Sequence, residues 1–386
     1  MKEFKLTGAY ASINLDNIIH NYKEVCKWVD DDTIVSCVVK SDAYGHGETH
    51  VVQALIENGI KIICVSTITE ALRLRKRFKD IDILILGYTP KFLLEKLASN
   101  NLIQTIGTIE EAEILNEFAL TKVHIKVNTG MNRLGFNHNN LEEIVKISRF
   151  KNIEICGIFS HLHSSDSADK TATDIQFERF CNLTDYLESK NVRLGIKHIC
   201  NSGGIIDSKQ MHLDMVREGI MLYGLYPSNE VSKESIKLKE CMEFKSYIAS
   251  ISELKKGEGI SYGHTFIAQK DMKIATINLG YSDGLFRSLG NKGEVIINDQ
   301  RRSIVGRICM NMFMVDIMDM EDVSVEDEVI IFGKSENNFI SIDEVALKAG
   351  TISYEIVCRT GYSVPRVYIK NGEIIEIESD LIVEKR

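Results

Sequence analysis

Up to about residue 225 the sequence repeats one unit, a short β-branched run followed by a longer amphipathic stretch. Such alternation implies parallel strands, because a chain that re-enters a sheet in the same direction needs a helical crossover. The runs that read as strands are Ile34–Lys40, Lys61–Ser66, Ile81–Gly87, Leu102–Gly107, Val123–Asn128, Ile153–Ser160, Ile196–Cys200 and Met215–Leu222. A first helix, Asn17–Trp28, precedes them. Between them lie amphipathic segments such as "ITEALRLRKRF" (68–78), with Ala71, Leu72 and Leu74 on the apolar side and Arg73, Arg75 and Lys76 outward. About eight such units point to an α/β fold, a (β/α)8 TIM barrel, with an open doubly wound sheet as the alternative.

After about residue 240 the texture changes to short alternating strands without long helices, such as "KSYIASISEL", "GEVIINDQRRSIVGR" and "VPRVYIKNGEIIEI". Turn chemistry at Asn298–Asp299 and Lys370–Gly372 separates some of them. The expected organisation is therefore a barrel over residues 1–238 and a mainly β C-terminal domain over 239–386. At 386 residues the chain is long enough for two cores.

Charge and composition remove several function classes. The net charge of −9 disfavours nucleic acid or an anionic membrane as the main partner. No apolar run reaches the roughly 20 residues of a membrane helix. The start, MKEFKLTGAY, has no leader-like apolar segment, so the expected location is cytoplasmic. Nine cysteines without a C-x-x-C pair fit reduced thiols better than disulfides or a zinc site.

In such barrels the chemistry sits where strands end at the C-terminal face. The first strand ends at Lys40 within "VVKSDAYGHG", with Tyr44 four residues on. An amine at the mouth of an apolar strand either snorkels to water or loses its charge and becomes a nucleophile or base. The fifth strand carries Lys126, and the loop "NTGMNRLG" after it carries Arg133. The sixth ends near His161, the seventh in Ser202-Gly203-Gly204, and the eighth holds Arg217, Gly219 and Ile220. Backbone N–H groups near the last two strands suit a phosphate. A phosphate site beside a strand-end lysine suggests pyridoxal phosphate, whose aldehyde condenses with an amine. A rival reading takes His161 and His163 as ligands of a metallohydrolase metal, but no third histidine or carboxylate is evident at the other strand ends. The expected metal is none.

The stretches "VVKSDAYGHG", "KVNTGMNRLGF", "CNSGG", "VREGIMLYG", "ISYGHTF", "GYSDG", "VGRICMNMFMVDI" and "ISYEIVCRTGYSVPRVY" together resemble the alanine racemase family, in order and over nearly the full length. The resemblance implies a barrel carrying pyridoxal phosphate, a β domain and a head-to-tail homodimer with shared active sites. It implies the interconversion of L- and D-alanine that supplies D-alanine for peptidoglycan. It further implies that Lys40 holds the cofactor and acts as one base. Tyr262 would be the opposed base, reaching the partner subunit's barrel. Arg217 would meet the pyridine nitrogen, and Tyr44, Ser202, Gly219, Ile220 and Tyr354 the phosphate. Arg133 and the backbone of Met310 would bind the substrate carboxylate. Lys126 resembles the lysine that is carbamylated to brace that arginine, and His161 would link Arg217 to Tyr262.

The chemistry asks for such a set. Racemisation removes a proton from one face of the α-carbon and returns it on the other, so two bases must flank the substrate. A guanidinium does not surrender its proton readily, so it keeps a ring nitrogen unprotonated. A phenol of ordinary pKa, about 10, is a poor base at neutral pH and needs cationic neighbours. The sequence departs from the family pattern at Asn128 and Asn311, where aspartates are expected, and at Ser41, where alanine is usual. Serine racemases of vancomycin resistance and a decarboxylase on the same barrel are the alternatives. Tyr354, retained here, limits the pocket and favours alanine over serine. A barrel that binds the cofactor without catalysis usually lacks the second domain, so Tyr262 argues against it.

Overall fold

The computed structural model describes residues 8–378. The opening residues 1–7, on which the reading of a missing leader partly rests, lie outside them, as do 379–386. The chain divides into two compact units. One comprises residues 17–43 and 48–239; the other comprises residues up to 16, 44–47 and those from 240 onward.

The first unit is a parallel barrel. Its strands run Ile34–Val38, Ile62–Val65, Asp82–Ile85, Ile103–Ile106, Thr121–Asn128, Ile153–Phe159, Ile196–His198 and Met215–Glu218, paired in that order, and the last pairs in parallel with the first. Two further backbone bonds close the ring between the seventh and eighth: Arg217 N–H to Cys200 O and Asp214 N–H to Lys197 O, both 3.1 Å. The open-sheet alternative is thereby excluded. Strands such as Ile62–Val65 and Ile103–Ile106 are buried at every position, as strands covered on both faces must be. The first helix, Leu15–Trp28, starts two residues earlier than the pattern suggests.

Two local expectations are corrected. Arg75, read as an outward residue of helix Ile68–Arg77, is 6% exposed. Its guanidinium donates to the carbonyls of Phe78, Lys79, Asn100 and Asn101, so it caps loop ends that would otherwise stay unsatisfied. The stretch expected as the eighth strand, Met215–Leu222, ends at Glu218; Ile220–Tyr223 is a 3-10 turn closed by Gly224 at φ +83°.

In the second unit, strands Met242–Leu254, Tyr10–Asn14, Arg366–Lys370 and Glu373–Glu378 are neighbours in one sheet. Six antiparallel strands close on themselves: Met242–Leu254, Met272–Ile277, Phe313–Asp316, Gln300–Val305, Glu294–Ile297 and Glu328–Lys334, the last pairing again with the first. The Asn298–Asp299 turn joins two of them with both residues at positive φ, 46° and 60°. Helices Ile342–Ala349 and Ser353–Ser363 interrupt the β texture.

The expected domain over 1–238 differs at its start. Tyr10–Asn14 pairs antiparallel with Met242–Leu254 and parallel with Arg366–Lys370, so it belongs to the second unit. Residues 44–47 go with it because two glycines allow close contact there. A Cβ at Gly361 would lie 1.9 Å from Gly45 O, and one at Gly45 would lie 2.5 Å from Val357 O.

Candidate active site

Lys40 follows the first barrel strand directly after Val39, whose N–H bonds Cys64 O at 2.9 Å. The next four residues form a left-handed turn: Ser41, Asp42, Ala43 and Tyr44 have φ of 53°, 51°, 53° and 54°. None of the four is a glycine; the first glycine of this stretch is Gly45. Left-handed backbone is unfavourable for residues with a Cβ, so something must hold it. Ser41 N–H donates to Glu70 Oε1 at 2.7 Å, Glu48 N–H to Asp42 Oδ1 at 2.7 Å, and Ala43 N–H to Val39 O at 3.0 Å.

The barrel interior is polar on its fifth to eighth strands. Arg217, 3% exposed, donates through Nη1 to His198 Nδ1 at 2.7 Å. Its Nη2 donates to Ser160 O and Ile199 O, both 2.9 Å, and to His161 Nδ1 at 3.2 Å. Its Nε makes no bond among the described residues, leaving one donor open. Burial lowers the guanidinium to about 10, so it remains a cation at neutral pH. Burial and then the charge of Arg217 hold His161 well below the usual imidazole range, with Lys126, Arg133 and Lys40 adding to the effect. His161 is therefore neutral, accepts on Nδ1 and carries its hydrogen on Nε2. The cation bonded to His161 is Arg217, and His161 itself is not an imidazolium.

Lys126 is 6% exposed; its Nζ bonds Val127 O at 2.9 Å and lies 5.2 Å from the Phe159 ring centroid. Burial, then Arg217 and Arg133, push its amine down to about 7. Arg133 is exposed in the loop after this strand. That loop is shaped by Asn128, whose Oδ1 accepts the N–H groups of Gly130 (3.1 Å) and Asn132 (2.9 Å) and whose Nδ2 donates to Asn132 Oδ1 at 3.0 Å. An aspartate at 128 would keep the first two bonds and lose the third. Gln176, absent from the sequence reading, ties this loop to the next: it donates to Thr129 Oγ1 and His161 O and accepts His163 N–H. No periodic signal distinguishes such a glutamine from any other on an amphipathic helix.

The expected phosphate cradle is compact. Ser202, 4% exposed, accepts Gly219 N–H at 3.2 Å through Oγ, and Ile220 begins the following 3-10 turn. His163, the other member of the suggested metal pair, is exposed and bonds Ser164 Oγ at 2.6 Å. Among the described residues no three His, Cys, Asp or Glu side chains converge as a metal site.

In the second unit Tyr44 and Tyr354 lie with ring centroids 6.2 Å apart. Tyr262 is 70% exposed on a 3-10 turn, Tyr262–His264, after Ser261 at φ 63° and ψ −175°. That backbone region is nearly restricted to glycine, and Ser261 is held in it by Oγ bonding Arg307 O at 2.6 Å. Tyr262, Met310 and Asn311 line an open cavity of about 620 Å³. Met310 O accepts Ser282 N–H and Oγ, whereas its own N–H meets no acceptor among the described residues. Asn311 Nδ2 donates to Ser282 Oγ at 2.7 Å.

A closed parallel barrel with a lysine after its first strand, a buried arginine network on its last and an attached β unit defines a two-unit barrel enzyme. Residues 13–227 match the family model for the alanine racemase N-terminal domain, and residues 241–368 that for the C-terminal domain. The chain belongs to the alanine racemase family. It is 43% identical to "Alanine racemase 2" of Caldanaerobacter subterraneus subsp. tengcongensis over 96% of this chain and 97% of that one. The solved alanine racemase of Clostridium difficile 630 superposes with a TM-score of 0.93 at 36% identity, over 98% of this chain and all of that one. That of Bartonella henselae, solved with covalently bound pyridoxal phosphate, gives 0.85 at 28% identity, over 94% of this chain and all of that one.

Proposed function

We propose that this chain interconverts L- and D-alanine with pyridoxal phosphate held covalently by Lys40. The observation that carries the reading is Arg217: a buried cation with both terminal nitrogens committed and Nε left to meet a ring nitrogen. Ser202, Gly219 and Ile220 would hold the phosphate on the barrel side, and the hydroxyls of Tyr44 and Tyr354 would add to it. When bound, the cofactor would delocalise the electron pair left on the substrate α-carbon.

The chain's own residues do the rest. Lys40 Nζ, freed as a neutral amine once the substrate's amino group takes its place, would take or return the α-proton on one face, and Tyr262 Oη of the second copy in a homodimer on the other. Arg133, together with the N–H of Met310 from the second copy, where Met310 lines the same cavity as Tyr262, would orient the substrate carboxylate. His161, donating from Nε2, would favour the phenolate form of Tyr262, with Arg217 behind it as the charge. Lys126, as a neutral amine, would accept carbon dioxide and brace Arg133. No helix among the described residues is long and apolar enough to cross a membrane. A cytoplasmic enzyme supplying D-alanine for peptidoglycan fits the reading.

The purified protein should absorb visible light, and borohydride should fix the cofactor's mass on a peptide containing Lys40. Racemisation should be faster with alanine than with serine measured side by side. A colourless protein that racemises neither would overturn the reading.

A further inference from the structure

His124 and His198 lie wholly inside the barrel, and neither has a part in the proposed proton transfers. Their hydrogens can nevertheless be placed. A guanidinium only donates, so His198 Nδ1, 2.7 Å from Arg217 Nη1, must be bare. Neutral His198 then carries its hydrogen on Nε2, which faces His124 Nδ1 at 2.9 Å. His124 Nδ1 accepts, so its own hydrogen sits on Nε2, where it meets no acceptor among the described residues. Burial, reinforced by the charge of Arg217, keeps both rings neutral, His124 at about 3 and His198 well below the usual range.

We propose that His124 is a positioning residue: it gives His198 Nε2–H an acceptor, supports the tautomer that meets Arg217 with a bare Nδ1, and so helps hold Arg217 with its Nε open toward the cofactor. In the other tautomer two N–H groups would oppose each other, and the guanidinium would have to turn. What Arg217 holds rests on the pyridoxal phosphate reading; the tautomers do not.

The surroundings are built for this ring. Phe159 stacks on His198 with centroids 4.7 Å apart and planes 6° from parallel, which fixes the tilt of the ring. Gly157 makes room for His124: a Cβ there would lie 2.5 Å from its Cε1 and 2.6 Å from both nitrogens. An apolar side chain would remove the unmatched Nε2–H of His124 but leave Nε2–H of His198 without its acceptor. The acceptor at Nδ1 is what the imidazole adds.

Nitrogen-15 spectra of the imidazoles, with and without pyridoxal phosphate, should show bare Nδ1 and protonated Nε2 on both residues. His124→Phe should leave His198 Nε2–H without an acceptor and weaken pyridoxal phosphate binding about fivefold, the worth of one neutral hydrogen bond. His124→Gln, which offers an amide oxygen, should stay within about twofold of wild type. Gly157→Ala should act like His124→Phe by displacing the ring. A wild-type His198 protonated on Nδ1 overturns the proposal even if a variant fails to fold. So does His124→Phe with unchanged pyridoxal phosphate binding. A wild-type protein that binds no pyridoxal phosphate refutes the functional reading instead, and the spectra still decide the relay.

Discussion

Lys126 shows how environment changes one residue's chemistry. With its amine at about 7, the folded chain holds a free nucleophile above that pH and an ammonium below it. An unfolded lysine titrates near 10.4, so between about 7 and 10.4 only the unfolded chain binds this proton, and stability rises with pH across that window. Lys126→Met should flatten that rise, read as the denaturant midpoint at several pH values. Carbon-13 bicarbonate should give a carbamate resonance in the wild type at mildly alkaline pH and none in Lys126→Met. Tyr262→Phe should slow proton removal from L-alanine more than from D-alanine, because it removes one of two opposed bases. Equal, slight effects would take Tyr262 out of the reaction. The sequence made Lys40, Arg133, Arg217 and His161 candidates because polar groups recurring at strand ends are hard to place by packing. It hid Arg75, whose burial depends on carbonyls from another loop.

Among the elements, the left-handed turn after Lys40 is the least expected. Nothing in Ser41-Asp42-Ala43-Tyr44 signals positive φ, since the compensation comes from Glu70, Asp42 and the strand behind. Glu70 closes the capping box of helix Ile68–Arg77 with Thr67 and also accepts Ser66 and Ser41 N–H. Glu111 makes the matching capping box at Thr108, with Gly107 N–H as its extra donor and no tie to the lysine loop. Glu70→Gln should cost about 1–3 kcal/mol of stability and lower cofactor loading on Lys40. Glu111→Gln should cost stability alone, and equal loading in the two variants would contradict the link. The barrel strands were legible from their β-branched runs to within a few residues. Helices Ile342–Ala349 and Ser353–Ser363 were not, because each lies within a region of alternating strands and is too short for its period to stand out.

At the scale of the whole molecule, the sequence texture located the change near residue 240, and the contacts divide between Lys239 and Glu240. The crossing of Tyr10–Asn14 into the second unit was not legible, since its partners lie more than two hundred residues away. Tyr262 stands exposed beside an open cavity, as a base serving a second copy would. Sharing of sites between copies is the proposal on which the two-base reading depends. The most direct test mixes inactive Lys40→Ala and Tyr262→Phe subunits. Heterodimers should regain racemase activity from one intact site, pairing Lys40 of one chain with Tyr262 of the other. If mixed dimers form and remain inactive, the two bases do not come from different chains.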